Sequence, residues 1–435
     1  MRRNALPGTG EPVGARGATA VVIGAGVAGL TAAYLLQRRY EVTLFEAEPR
    51  AGGHAHTHDV PAPGGGSIPV DTGFMVFNRR NYPHLVCLLD ELGVRTRGSD
   101  MSMSLTCEQC SMAYLTGSAL RGLPVRPAAL SASAWRALGA EMKTFTRLAA
   151  GSLDEPVEPT VTVGDLLEEH GFSVTFAEHL VLPLVSALWS CGSAAARQYP
   201  AHYLFRFLDN HGLLPGGPPT RWRTVVGGSR EYVRRITTRL PTVHCGRPAQ
   251  VIRRLGERIE VRDAADEVHT FDRAVVAVHS DQALRLLADA TAQESSLLGA
   301  IPYVANETVL HTDAALLPDE PRMRASWNVR RVPGAAADSH VLISYHLNRL
   351  QGIAGPVDYV VTLNPAGRVR EDRTLARMVY EHPVHTPRSV DARCRLPSLN
   401  SPRLAFAGAY HGWAFHEDGC ASGVRAAGAL GATWS

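Results

Sequence analysis

An α/β fold carrying an inserted second domain is predicted for this 435-residue chain by three observations. A short apolar strand near the N-terminus runs into a glycine-rich turn and a helix. A second strand, glycine and small-residue helix close the chain. Between them, residues 126 to 213 space their apolar groups three and four apart, as helices do.

Composition sets the outer limits. With 45% hydrophobic and 20% charged residues the chain can bury a core large enough for two domains. Lys and Arg number 44 against 41 Asp and Glu, and no long basic run is interleaved with aromatics, which argues against nucleic acid as a partner. Seven scattered cysteines, an odd number, fit reduced thiols in a cytoplasmic protein. Cys107 and Cys110 form the one CxxC, but no second CxxC or paired-histidine motif completes a ligand set. No metal is therefore expected, and the two thiols read as incidental. Residues Met1 to Ala18 carry Arg2, Arg3 and Arg16 among Gly, Pro and Ala, which predicts a disordered tail. No run of 18 apolar residues occurs, so a spanning helix is not expected. The protein is expected to be soluble, with peripheral membrane contact left open.

The first element is the strand Thr19 to Ile23, followed by Gly24-x-Gly26-x-x-Gly29 and a helical stretch from Thr31 to Arg39. This order is that of a Rossmann unit. Gly24 permits the tight turn, Gly26 lets the backbone approach a pyrophosphate, and Gly29 lets the helix pack closely on the strand. The free N–H groups at the helix start hold the phosphates. The second strand, Glu41 to Glu46, ends in an acid 17 residues after Gly29. Glu46 is placed to accept hydrogen bonds from an adenosine ribose, and its charge would repel a 2′-phosphate.

The next stretch is Glu46-Ala-Glu-Pro-Arg50-Ala-Gly52-Gly53-His54. Here the chain resembles the FAD-dependent amine oxidase and phytoene desaturase superfamily, in which an acid, an Arg and a Gly-Gly pair follow the Rossmann unit. The resemblance implies that Arg50, Gly52 and Gly53 line the FAD phosphates and ribityl chain. An Arg neutralises pyrophosphate charge, and paired glycines let the backbone run against the cofactor. A simple NAD-dependent dehydrogenase fits this stretch poorly.

The C-terminal block from Arg403 to Ala427, with Gly408, Tyr410, His411, Trp413, His416, Glu417, Asp418, Gly419, Ser422 and Gly423, resembles the closing motif of that superfamily. The strand Leu404 to Phe406 leads to a helix opening beneath the flavin, whose positive end can stabilise a reduced, anionic ring. The two motifs lie almost 380 residues apart, so each is an independent vote. Cys420 does not fall where covalent relatives place their linking cysteine, so FAD is expected to be non-covalent.

More narrowly, the chain resembles a bacterial family of NAD/FAD-binding, amine-oxidoreductase-like proteins whose members accompany fatty-acid-modifying methyltransferases. The carrying segments are Gly52-Gly53-His54, Val70 to Asn78, Ser99 to Ser102, Ser326-Trp327-Asn328, Tyr345 to Gln351, Val361 to Pro365 and Phe415 to Gly419. They cover most of residues 19 to 430. By resemblance Gly73, Phe74, Gly408, Glu417, Asp418, Gly419 and Ser422 join the cofactor-binding set. The Gly227-Gly228 turn is implied to lie near the flavin, and the residue matching Val251 to touch the adenine through its backbone.

The implied architecture is an amine-oxidase-like pair of domains: a Rossmann-type FAD-binding domain from residues 19–105, 220–300 and 396–435, and an inserted α+β substrate domain from 106–219 and 301–395. The first part of the insert reads as a helical cap, and Val309–Thr312, Ala325–Val329, His340–Leu347 and Tyr359–Leu363 as strands of its sheet. Val225 to Ser229 opens a helix, and Ala249 to Val251 leads into a hairpin from Arg258 to Phe271.

Flavin N5 can accept a hydride from an amine α-carbon or from an allylic C–H. His54, Tyr410, His411, Trp413 and His416 are the candidates for catalytic contact, and three histidines offer a general acid or base. An amine oxidase using O2 would need an aromatic cage, for which Tyr410 and Trp413 lack a clear partner. An unsaturated acyl or polyene substrate would need an apolar channel, which Leu180, Leu182, Leu184, Val185, Leu188 and Trp189 could line. The expected function is therefore an FAD-dependent desaturase or double-bond isomerase. Amine oxidation and a flavin-binding, non-catalytic partner of a lipid-modifying enzyme are the alternatives.

Overall fold

The computed structural model describes residues 17–116, 122–124, 131–154, 160–214, 220–332 and 341–434. Of the tail expected over residues 1–18, all but Gly17 and Ala18 lies outside the described residues.

The N-terminal strand Thr19–Ile23 is apolar on both faces and becomes the middle of a five-stranded parallel sheet. Glu41–Phe45 and Arg273–Val276 flank it, with Thr242–His244 and Leu404–Phe406 at the edges. A parallel sheet needs both faces covered. One face packs Ala20, Val22, Val42 and Leu44 against the helices Val27–Leu36, Pro83–Glu91, Arg230–Thr237 and His416–Ala429. The other packs Val21, Ile23 and Phe45 against the antiparallel strands Ala249–Leu255, Arg258–Asp263 and Val268–Phe271 and the helices Ala292–Leu298 and Pro387–Arg395. The hairpin expected from Arg258 to Phe271 is thus present.

The helix Val27–Leu36 is buried at every position, because the closing helix His416–Ala429 covers the side the sheet leaves open. Two glycines set that approach. A Cβ on Gly419 would stand 2.6 Å from Val27 Cγ1, and one on Gly423 would collide with the Ala28 carbonyl.

The second layer system is an eight-stranded mixed sheet in the order Thr374–Pro383, Tyr303–His311, Val360–Leu363, Leu342–His346, Trp327–Arg331, Met103–Cys107, Ala113–Thr116, Gly122–Pro124. Every neighbouring pair is antiparallel except Trp327–Arg331 with Met103–Cys107. Met103–Cys107 therefore runs across residue 105, where the sequence suggests a change of domain. The strand Thr374–Pro383 was not read from the sequence, although its exposure alternates residue by residue, with Ala376, Met378, Tyr380 and His382 on the inner face.

Over this sheet lies the helical cap: Ala132–Asp154, Val163–Glu169, Leu182–Trp189, Ser193–Arg197 and Ala201–Asn210. The Thr162 hydroxyl accepts the Asp165 N–H while the Asp165 carboxylate accepts the Thr162 N–H, a reciprocal cap that starts the second helix. Between Ser173 and Leu182 the coil widens into a single π-turn, Ala177–Val181. Val163, Leu166, Phe176, Val185 and Phe205 of the cap share a core with Leu105, Tyr114, Ile343 and Val361 of the sheet. Among the described residues no helix is long and apolar enough to cross a membrane.

A candidate cofactor and substrate cavity

The carboxyl ends of the parallel strands open onto a cavity of about 1190 Å³ that continues beneath the cap. Ligands in open α/β sheets bind at such ends. At the sheet end it is lined by Gly24, Gly26, Glu46, Glu48, Arg50 and Gly53, and farther in by His54, Gly73, Phe74, Gly408, Tyr410, Trp413 and His416.

The glycine turn is shaped by hard contacts. Gly24 has φ +98, and a Cβ there would lie 2.6 Å from the Ala277 carbonyl oxygen, so only glycine fits. A Cβ on Gly29 would collide with the Gly24 carbonyl, which closes helix on turn. Gly26 differs: a Cβ there meets nothing within 4 Å, because it would project into the cavity. Gly26 also precedes the helix Val27–Leu36 with no side chain capping it, so the N–H groups of its first turn are free for an anion.

Glu46 does more than face a ribose. Its Oε2 accepts the Ala25 N–H at 2.7 Å and its Oε1 the Glu48 N–H at 2.8 Å. The carboxylate thus holds the glycine turn to the second strand and keeps lone pairs toward the cavity. Arg50 donates through Nη2 to the Gly53 carbonyl at 2.9 Å, while its buried Nη1 has no partner. Gly52 packs under the Ala55 carbonyl and donates its N–H to Ala25 O, tying this loop to the first turn.

Farther in, Gly73 passes against the His54 carbonyl, and the Phe74 ring stacks on His416 at 3.7 Å and 7°. His416 Nε2 pairs with the Tyr232 hydroxyl at 2.8 Å. Burial pushes the His416 imidazole down to about 3 and that of His54 well below the ordinary range. Both are neutral at pH 7, suited to hydrogen bonding rather than to carrying a proton. Tyr410 OH, Trp413 Nε1 and His54 Nε2 are buried on the cavity wall without a partner, as is Arg50 Nη1. Buried polar atoms are nearly always satisfied, so this set marks a surface built for a ligand. Together with the open Gly26 cradle and the free helix end, it fits FAD: pyrophosphate at Gly26 and Arg50, ribose at Glu46, ring near His54, Tyr410 and His416.

Several expected residues stand elsewhere. Glu417 accepts the His84 and Leu85 N–H groups and pairs with His84 Nδ1 at 2.6 Å, so it caps the helix Pro83–Glu91 instead of meeting the cavity. Asp418 accepts the Phe415 N–H within its own helix start, and burial pushes its carboxyl up to about 6. Gly419 serves helix packing. Ser422 Oγ accepts the Gly408 N–H at 2.9 Å and donates to Gly419 O, holding the last strand to the closing helix. His411 lies behind Tyr410, ring to ring at 4.7 Å, off the wall. Pro248 and Ala249 line the nucleotide end, whereas Val251 does not. The Gly227-Gly228 turn is also set back: Gly228 packs on Thr57, and Asp71 accepts the Ser229 N–H at 2.9 Å. Cys420 points into helix packing, its Sγ 3.4 Å from Thr31 Oγ1, and no cysteine lines the cavity.

Of the proposed channel residues, Leu184, Leu188 and Trp189 line the cavity, while Leu182 and Val185 fill the cap core and Leu180 packs against it. The wall also carries residues the sequence did not single out: Tyr380 and His382, whose rings approach the His54 ring at about 5 Å with His382, and Tyr303, Met101, Trp327 and Tyr345. Tyr380 OH bonds Thr72 Oγ1 at 2.7 Å and His56 Nδ1 at 3.0 Å. The alternation of Thr374–Pro383 is the signal that would have found the first two.

A family model described as flavin containing amine oxidoreductase matches residues 27–321. No curated protein sequence matches the chain. Among solved structures, cyclohexylamine oxidase from Brevibacterium oxydans IH-35A is similar over 95% of this chain and 98% of its own, with TM-score 0.68 at 15% identity. Putrescine oxidase bound to putrescine gives TM-score 0.67 at 13% identity over 95% and 98% of the two chains. A CLA-producing fatty acid isomerase from P. acnes gives TM-score 0.64 at 15% identity over 93% and 97%. At these identities the likeness is one of fold, with the same two-domain arrangement.

Proposed function

The chain belongs to the flavin-containing amine oxidoreductases and is an FAD-dependent oxidoreductase with non-covalent FAD; from this premise we propose that its substrate is an unsaturated acyl chain or polyene, which it desaturates or isomerises. One observation carries the reading. Where the cavity runs under the cap, its wall is Met101, Met103, Leu184, Leu188, Trp189, Phe207, Trp327, Tyr345, Leu363 and Met378, and among the described residues no carboxylate joins them. The carboxylates elsewhere on the wall are Glu46 and Glu48 at the nucleotide end and Glu381, which lies 3.2 Å from His279. An ammonium substrate would have to shed its water there without a counter-charge, at a cost of several kcal/mol. An apolar chain gains from the same wall about 0.8 kcal/mol for each methylene it buries.

When bound, FAD takes up or returns the hydride at its N5. The protein's part is to hold the chain straight against the ring with Trp189, Trp413 and the Leu184–Leu188 face, and to exclude water. His54 and His416, both neutral, would hydrogen-bond around the ring, with Tyr232 fixing His416. The reactions printed for structural neighbours, on cyclohexylamine, putrescine and a fatty acid, bracket these possibilities.

The test is anaerobic mixing of the holoprotein with polyunsaturated fatty acids and polyenes on one side and primary amines on the other, following flavin absorbance and product mass. Lasting bleaching with a lipid product two mass units lighter means desaturation. A lipid product of equal mass, with the flavin returning to its oxidised colour, means isomerisation. Bleaching by amines alone sinks the lipid reading.

A further inference from the structure

Away from the cavity, the hairpin between Met103–Cys107 and Ala113–Thr116 carries the CxxC, and the fold brings to it a histidine 69 residues further on. We propose that Cys107, Cys110 and His179 form a binding site for a thiophilic divalent cation of the zinc class, which clasps the helical cap to the eight-stranded sheet.

The ligand atoms of the three residues lie within 4.8 Å of one another, with Cys110 Sγ 3.3 Å from His179 Nε2. Zinc bonds of about 2.3 Å to sulfur and 2.0 Å to nitrogen give tetrahedral edges of roughly 3.5–3.8 Å, so only small side-chain movements close the site. The histidine is already oriented. Its Nδ1 stands 3.2 Å from the Thr175 carbonyl, which can only accept, so the proton is on Nδ1 and Nε2 offers its lone pair to the sulfurs. A metal-ligating imidazole is held by this kind of bond on its second nitrogen.

The hairpin is equally prepared. The Cys107 sulfur receives the backbone N–H groups of Gln109 and Cys110, and the Cys110 sulfur that of Met112. Three N–H groups aimed at two sulfurs favour thiolates, and they require the chain to turn sharply after Cys110. Ser111 makes that turn in the left-handed region, at φ 55, which a non-glycine residue adopts only under local demand. On the cap side, His179 sits in the π-turn Ala177–Val181, and its carbonyl accepts the Tyr114 hydroxyl at 2.9 Å, which pins the cap to the second hairpin strand.

The charges close. Two thiolates neutralise a divalent cation. Arg331, whose Nη1 is 3.5 Å from His179 Nε2, is paired with Glu178 at 3.1 Å, so its guanidinium can turn to donate to a thiolate. Binding releases two thiol protons to solvent and moves no electrons. Cys110 is exposed, which gives the cation a way in and leaves its fourth position to water. The cluster Asp263, Glu267 and His269 differs: Arg247 already stands 2.6 Å from Asp263.

The experiment uses reduced, chelator-dialysed, full-length holoprotein titrated anaerobically with Co2+. Absorbance is read in the red, where oxidised flavin is transparent and tetrahedral thiolate-bound Co2+ absorbs. The expected result is a band that saturates at one equivalent and is abolished by Zn2+. C110S and H179Q should each weaken Co2+ binding roughly 10-fold or more, while C394S, at an exposed cysteine elsewhere, should not change it. Because Cys110 is exposed, C110S keeps the fold, which retention of the flavin spectrum verifies. A band that persists in C110S, no band at one equivalent, or a Cys107–Cys110 disulfide that forms even with Zn2+ present would overturn the proposal.

Discussion

Replacing Glu46 by Gln separates two roles for that side chain. If it only accepted hydrogen bonds from a ribose, the amide oxygen of Gln would serve nearly as well. The structure has both carboxylate oxygens accepting backbone N–H groups, from Ala25 at 2.7 Å and Glu48 at 2.8 Å. In E46Q one of these N–H groups must face an NH2 donor, so one charge-assisted bond is lost and a donor is left unpaired. The loss is about 1.5–3 kcal/mol. Because the Ala25 N–H belongs to the turn that receives the pyrophosphate, most of it falls on the bound state, giving roughly a 10- to 150-fold weaker Kd for FAD. The assay is titration of apoprotein with FAD, followed by flavin fluorescence. E46A should fall in the same range. An E46Q protein that binds FAD within about threefold of wild type would refute the reasoning.

The two glycines of the turn should separate stability from binding. G24A, forced against the Ala277 carbonyl at φ +98, should lower Tm by the equivalent of at least about 1–3 kcal/mol, whereas G26A, with open space around its Cβ, should melt like wild-type apoprotein and lose FAD affinity. E417A should cost about 0.5–2 kcal/mol in a thermal melt by uncapping Pro83–Glu91, with FAD affinity unchanged; a selective loss of FAD would return Glu417 to the cofactor. Stability should fall on acidification. His385, His411 and His416 are held down to about 3, and His211 and His382 to about 4, against about 6.5 in the unfolded chain, so below pH 6.5 the unfolded state takes up the extra protons. Asp71 and Asp418, raised to about 6, favour the fold as pH drops and offset part of this. Tm should therefore decrease from pH 7 to pH 5, and a flat or rising Tm would contradict the burial of these imidazoles.

How much was legible in the sequence depended on whether a residue's role was local. Gly24, Gly26, Gly29 and Glu46 act within one strand–turn–helix unit, and their spacing alone located them. The cap helices and the strands near Val309, Ala325 and Tyr359 were legible from periodicity. Glu417 was misread because its partners, the N–H groups of His84 and Leu85, lie more than 300 residues away, and the motif around it cannot distinguish a carboxylate that meets a cofactor from one that caps a helix. His411 and His416 look equivalent in sequence, yet a 3-10 turn from Ala409 to His411 sends one behind Tyr410 and leaves the other on the wall. Cys107 and Cys110 read as incidental because no nearby histidine stood in register. The π-turn that supplies His179 leaves no mark in composition.

The contact between Val27–Leu36 and His416–Ala429, set by Gly419 and Gly423, has a consequence for how the protein is made. The phosphate-binding turn leaves the ribosome early, but one side of its helix stays bare until the last few dozen residues have followed. A nascent chain therefore carries an apolar helix with nothing to cover it for most of its synthesis, a state prone to aggregation or to capture by chaperones. Closing so long a loop is also slow relative to local folding. Flavin should be acquired after release rather than during elongation, and a shortage of FAD in the cell should leave chains that have docked this helix pair but remain easier to unfold, since the cofactor stabilises only the finished form.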